Sequence, residues 1–230
     1  MYKGEFVGKN AESQTKRILI LGESHHWEKK DWELQPGETE AQAEERRKNK
    51  EEVYKTENVL KCYLENYAER KGRYKAYRFF DYIVRSFGID PELHREDFWS
   101  KVYFGNYVEK LCGVRDTQAE TAIREASEEY NHSLFQFIKH NNIAYVFCFS
   151  RRVYAALPTL EEKDSRNEKD GIDTHRLEHC TYHPGLQKST NIVLDRPVTI
   201  YGLRHTSQGY SYRKYQERIA KIAKENKLPF

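Results

Sequence analysis

The stretch Arg17-Ile18-Leu19-Ile20-Leu21-Gly22-Glu23-Ser24-His25-His26-Trp27 decides how this chain is read. Four consecutive aliphatic residues, Ile18 to Leu21, suit a strand buried on both faces, because a half-exposed strand alternates apolar with polar side chains. The run breaks at Gly22 into an acid, a hydroxyl and two imidazoles. In open α/β sheets chemistry gathers where the chain leaves the carboxyl end of a strand, so Glu23, Ser24, His25 and His26 are candidate site residues.

Three further segments repeat the theme. Val102-Tyr-Phe-Gly-Asn-Tyr-Val108 is strand-like and carries Gly105-Asn106 near its end, Ile143 to Phe149 is a buried strand followed by Ser150, and Val198 to Leu203 runs into Arg204-His205-Thr206-Ser207. Helical periodicity fills the gaps. A pattern from about Thr39 to Tyr67 is polar at first and docks later through Val53, Leu60, Leu64 and Tyr67. Lys75 to Phe87 places Phe80, Val84 and Phe87 on one stripe, closed by Gly88. Ile89-Asp90-Pro91 opens a short helical turn, Thr117 to Lys139 is a long amphipathic helix ended by Asn141-Asn142, and Tyr212 to Asn226 is the last helix. Strands separated by helices imply parallel pairing through right-handed crossovers. The expected fold is therefore an α/β three-layer α/β/α sandwich on a small four-stranded, mainly parallel sheet. One domain over 1–230 is expected, with a charged helical insertion at about 38–58, a mobile loop at about 160–172 and irregular chain over 172–197.

Composition narrows the function classes. The net charge of +3 announces no nucleic-acid partner by itself, but residues 204–227 hold seven Lys/Arg against two Glu. A basic segment among 17 Tyr suits a surface that tracks phosphates and stacks bases; a solvated terminal helix is the plainer alternative. Cys62, Cys112, Cys148 and Cys180 form no CxxC pair, and Cys148 lies within an apolar strand, so reduced thiols and a cytoplasmic protein are expected. No apolar run reaches the length of a membrane span, so no membrane partner is expected. A monomer is the expected state.

If the sheet is parallel, Glu23, Asn106 and His205 leave it at one edge. A carboxylate, an amide and an imidazole facing one another can grip a planar heterocycle, the amide reading a donor/acceptor edge and the imidazole donating to a carbonyl. These residues resemble the motifs of the uracil-DNA glycosylase superfamily. That family carries G-Q-D-P-Y-H or G-E-A-P-G after the first strand, an Asn at the end of the second, and H-P-S-P-L-S-x-Y-R after the last. Here the first motif is Gly22-Glu23-Ser24-His25-His26-Trp27 and the last is His205-Thr206-Ser207-Gln208-Gly209-Tyr210-Ser211-Tyr212-Arg213.

The resemblance implies a DNA glycosylase that hydrolyses the N-glycosidic bond of uracil or a modified pyrimidine, in repair or in defence against foreign modified DNA; no cofactor and no metal are expected, because the four cysteines are not clustered as in the superfamily's iron–sulfur branch and Cys148 lies in a strand. It implies catalytic roles for Glu23, His205 and His25, base contacts from Gly22, Ser24, His26, Asn106 and Ser207, and DNA contacts from Tyr210, Ser211, Tyr212, Arg213 and Lys214. The departures are informative. The acid of the best-known branch falls at Ser24, leaving Glu23 or His25 for that role. The Tyr that blocks substituents at the fifth carbon falls at His26, so a C5-substituted pyrimidine is an expected substrate. The intercalating Leu falls at Gly209, with Tyr210 beside it as a substitute wedge. No Lys lies in either motif, so hydrolysis without a lyase step is expected.

Plainer readings compete. Glu23 can cap a helix or pair with Lys29, the imidazoles can be structural, Ser207 can cap the last helix, and Asn106 can be a turn residue. Of Phe79 and Phe80 only one can face the core, leaving the other to stack on a base or meet solvent. His175, His179, Cys180 and His183 could ligate zinc but lack a second cysteine pair. Two rival functions remain: a binding module that keeps the pocket without the acid, and a hydrolase of free nucleotides.

Overall fold

The structure, a computed structural model, describes residues 5–25, 29–51, 54–70, 75–108, 112, 116–158, 177–206 and 210–230. In chain order its elements are β1 (Phe6–Val7), β2 (Arg17–Gly22), α1 (Lys29–Trp32), α2 (Glu40–Glu51), α3 (Thr56–Glu65), α4 (Tyr67–Arg70), α5 (Lys75–Ser86), α6 (Pro91–Ser100) and β3 (Tyr103–Asn106). They continue with α7 (Asp116–His140), β4 (Ile143–Cys148), α8 (Arg151–Ala156), β5 (Glu178–Tyr182), β6 (Gly185–Gln187), β7 (Ile192–Leu194), β8 (Val198–Gly202) and α9 (Tyr212–Glu225).

One mixed sheet runs in the order β1-β3-β2-β4-β8-β5. The four expected strands form its parallel centre: β2 pairs with β3 and with β4, and β4 with β8. The sheet has six strands rather than four, because β1 adds antiparallel to β3 and β5 antiparallel to β8. The segment 172–197, read as irregular, holds β5 and a separate β6–β7 hairpin. β5 is mostly polar and buries only Cys180 and Tyr182, and β6 and β7 span three residues each, so none of them carries the long apolar run of a fully buried strand.

Helices cover both faces. Ile18 and Ile20 of β2 pack with Leu60 and Tyr63 of α3, Phe80 and Val84 of α5, Trp99 of α6 and Ile219 of α9. Leu19 and Leu21 point the other way, into Ile123, Leu134 and Phe135 of α7 and Val153 of α8. The period of two along a strand thus sends even positions of β2 to the α5/α9 layer and odd positions to the α7/α8 layer.

Three helices differ from expectation. The single pattern over 39–67 is split into α2, α3 and α4, with α2 mostly exposed apart from buried Ala43. Arg46 and Arg47 fasten α2 back onto the preceding chain: Arg46 meets Glu38 at 2.8 Å and the Asp31 carbonyl, and the Arg47 guanidinium lies 4.8 Å from the centre of the Trp32 ring. The turn at Ile89-Asp90-Pro91 grows into the ten-residue α6, its start capped by the Asp90 side chain accepting from the Glu92 amide at 3.0 Å. The long α7 kinks at Ala126. The loop expected over 160–172 lies outside the described residues, and among the described residues no helix is long and apolar enough to cross a membrane.

Candidate functional site

Four parallel strands end along one rim, and each exit contributes polar groups. Backbone pairing continues past the strand ends: Tyr107 N–H donates to Gly22 O at 3.1 Å, Val108 N–H to Glu23 O at 2.9 Å, and Cys112 N–H to His25 O at 2.9 Å. The chain leaving β2 is therefore held against the chain leaving β3.

On the α5/α9 side the groups link in a row. Asn106 is buried at the end of β3, and its amide donates to Thr56 Oγ1 at 3.3 Å. His25 Nε2 lies 3.0 Å from the same Thr56 oxygen. Gly22 permits this arrangement, because a Cβ there would stand 2.2 Å from Asn106 Oδ1 and 3.6 Å from the Phe79 ring. Phe79 in turn faces His205, ring centres 5.4 Å apart and tilted by 39°. His25, Thr56, Asn106, Gly22, Phe79 and His205 are thus contiguous, drawn from α3, α5 and three strand exits. Phe80 is the member of its pair that enters the core, and Phe79 stays half-buried at the site.

Glu23 takes the other direction. It is buried, and Ser150 Oγ donates to its Oε2 at 2.5 Å. Arg152 embraces it, with Nη2 at 2.8 Å from Oε1 and Nε at 3.3 Å from Oε2. Arg152 also approaches Glu120 of α7 at 3.8 Å. Odd parity along β2 explains the split: position 23 continues the side of Leu19 and Leu21, as Ser150 continues the side of Val146 and Cys148. The expected carboxylate, amide and imidazole therefore share a rim but divide between its two sides. Ser24 hydrogen-bonds the Cys112 thiol, whose pKa burial pushes up against that bond.

Sequence reasoning missed Thr56, Ser150 and Arg152. Thr56 sits at the end of the charged insertion, with nothing in its pattern to tie it to the rim. Ser150 and Arg152 were findable, since they follow the third buried strand as Glu23 follows the first.

The expected DNA-contact segment is also divided. Tyr210 is buried, its hydroxyl 2.6 Å from Ser86 Oγ and its ring stacked on Tyr215 at 5.3 Å. It packs the core and offers no wedge at the surface. Ser211 is the N-cap residue of α9, Tyr212 is half-buried, and Arg213 and Lys214 are exposed. His26, Ser207, Gly209 and His175 lie outside the described residues. In β5, His179 is exposed while its neighbour Cys180 is buried, so the two point to opposite faces, and His183 is exposed beyond the strand. Among the described residues no group of three His, Cys, Asp or Glu is placed to hold a metal ion.

No known family model matches the chain, and no curated protein is detectably similar to it.

Proposed function

We propose that the protein is a DNA glycosylase that hydrolyses the N-glycosidic bond of uracil or a C5-substituted pyrimidine. The observation that carries the reading is the contiguous row His25–Thr56–Asn106–Gly22–Phe79–His205 at the carboxyl rim of a parallel sheet. Phe79 offers a flat apolar surface for a base, and Asn106 retains an amide oxygen and a second N–H to read its edge. As the bond from C1′ to the base breaks, its electron pair moves onto the base and positive charge develops on the sugar. His205 donates to the base carbonyl as that charge grows. Water adds to C1′ and its proton passes to His25, which shares the Thr56 hydroxyl with Asn106. Glu23, clasped by Arg152 and Ser150, acts through its field rather than as the proton acceptor.

The test is release of free base, read by mass spectrometry, from oligonucleotides carrying uracil or substituted pyrimidines. His205→Ala is expected to lower the rate by about 10²–10³-fold, as removal of one donor to developing charge does. His25→Ala is expected to lower it by at least 10²-fold, the size of a general-base contribution. Glu23→Gln should cost less than either.

A second reading has its own support. The Glu23 and Ser24 side chains are engaged by Arg152, Ser150 and Cys112, which suits a pocket that binds a nucleotide without activating water. Release from no substrate, with DNA binding retained, would establish that module instead.

A further inference from the structure

The helix that brings Phe79 to the site carries a second set of groups away from it. Phe79, Tyr82 and Arg85 occupy successive turns of α5. Tyr82 lies 5.7 Å from Tyr212, the first residue of α9, with ring planes 38° apart. The guanidinium groups of Arg85 and Arg213 each stand 5.9 Å from the centre of the Tyr212 ring. Both tyrosines are half-buried, and Arg78, Arg213 and Lys214 are exposed around them. The first two turns of α9 hold Arg213, Lys214 and Arg218 against one acid, Glu217. Aromatic faces and cations therefore alternate along a strip that begins beside His205.

The sequence between β8 and α9 bears on which DNA could use this strip. Taking a base out of a duplex costs unstacking and unpairing, which duplex-opening proteins commonly offset by inserting an apolar side chain between base steps. Thr206 is buried, Tyr210 is buried with its hydroxyl on Ser86, and the three residues between them are Ser207, Gln208 and Gly209. None of these three residues has an apolar side chain to insert into the stack. An unpaired strand needs none, and its exposed base faces can lie on tyrosines while its phosphates follow arginines.

We infer that the substrate is single-stranded DNA, led to the site along the Tyr82–Arg85–Tyr212–Arg213 strip. The inference rests on the DNA-processing reading of the site, but its test does not require turnover. Fluorescence anisotropy with the full chain would compare a labelled oligodeoxyadenosine, its duplex and the equivalent RNA, so that the labelled strand carries no pyrimidine. Single-stranded DNA should bind about tenfold or more tighter than duplex, and Tyr212→Ala should weaken it by roughly tenfold, the loss of one stacked base. Tyr212→Phe, which keeps the ring, should bind as the unaltered protein does. The double variant Arg213→Ala, Lys214→Ala alters exposed positions only and should flatten the salt dependence by roughly 0.7 per charge removed. Equal or tighter binding of duplex, tighter binding of RNA, or an unchanged salt slope in the double variant would overturn the inference. Single-strand selectivity without base release would sink only the glycosylase reading, and base release with duplex preference only this one.

Discussion

A hydrogen atom in place of a side chain at Gly22 allows Asn106 to lie across the end of β2. The clash a methyl would make is with one side-chain oxygen, 2.2 Å away, and that oxygen belongs to a buried amide tethered to Thr56. Gly22→Ala is expected to destabilise the protein by about 1–3 kcal/mol, the usual cost of overpacking. In an Asn106→Ala background at least half of that cost should vanish, measured by urea unfolding as a double-mutant cycle. Strict additivity of the two substitutions would disprove the contact. At the neighbouring position the balance is electrostatic. Removing Arg152 leaves buried Glu23 with the Ser150 hydroxyl alone. Because the Arg152 side chain is 39% exposed, solvent screens the pair, and Arg152→Ala should cost about 1 kcal/mol rather than the larger penalty of a fully buried pair. Glu120→Ala, 67% exposed and 3.8 Å from Arg152, should cost nothing measurable by the same assay.

At the scale of elements, Ser150 joins two jobs that sequence reading treats separately. Its Oγ accepts from the Val153 amide at 3.2 Å, capping α8, and donates to Glu23 across the rim. Ser150→Ala removes both bonds and should lower stability by about 1–2 kcal/mol. Ser150→Asp keeps a capping oxygen but sets a second carboxylate against Glu23, so it should be less stable than the alanine variant. A thermal melt ranking aspartate above alanine would mean that the bond to Glu23 contributes little. The same element explains why Gly202 ends β8: a Cβ there would stand 2.6 Å from the Tyr154 ring of α8. The central strands were legible because Ile18–Leu21 and Val146–Phe149 are aliphatic and aromatic runs flanked by polar chain. The edge strands were not. Phe6–Val7 is too short for a pattern, and Glu178-His-Cys-Thr-Tyr182 buries only alternate residues.

Across the whole molecule, aromatic burial sets the response to alkali. Burial pushes the Tyr67 and Tyr201 hydroxyls up to about 12 from an ordinary 10, and the Cys148 thiol up to about 12 from 9. Tyr63, Tyr107 and Tyr210 are raised further, with desolvation the leading cause in each. In the unfolded chain these phenols ionise from about pH 10, while in the fold they stay neutral. The unfolded state therefore loses protons first. Stability is fully present below about pH 9, the ordinary value of the Cys148 thiol, and declines as pH rises towards 12. The urea midpoint should be flat up to about pH 9 and fall steeply beyond. Tyr201→Phe, which has no phenol to ionise, should fall less steeply, and an identical slope would exclude Tyr201 as a contributor.

Hydrophobic runs and their spacing were sufficient to locate the four parallel strands, the helices α5, α7 and α9 and the polar exits at the strands' carboxyl ends, because strands buried on two faces are rich in apolar residues. Which side of the rim each exit residue serves was also written in strand parity: Gly22 and Asn106 share the side of Ile18, Ile20 and Phe104, and Glu23 shares that of Leu19 and Leu21. What only tertiary structure decided are the contacts made across sequence distance. Thr56 arrives from the insertion to join His25 and Asn106, Arg152 arrives from α8 to claim Glu23, and Tyr210 turns inward to Ser86. No local pattern encodes these, because each depends on how separately folded elements meet at one edge of the sheet.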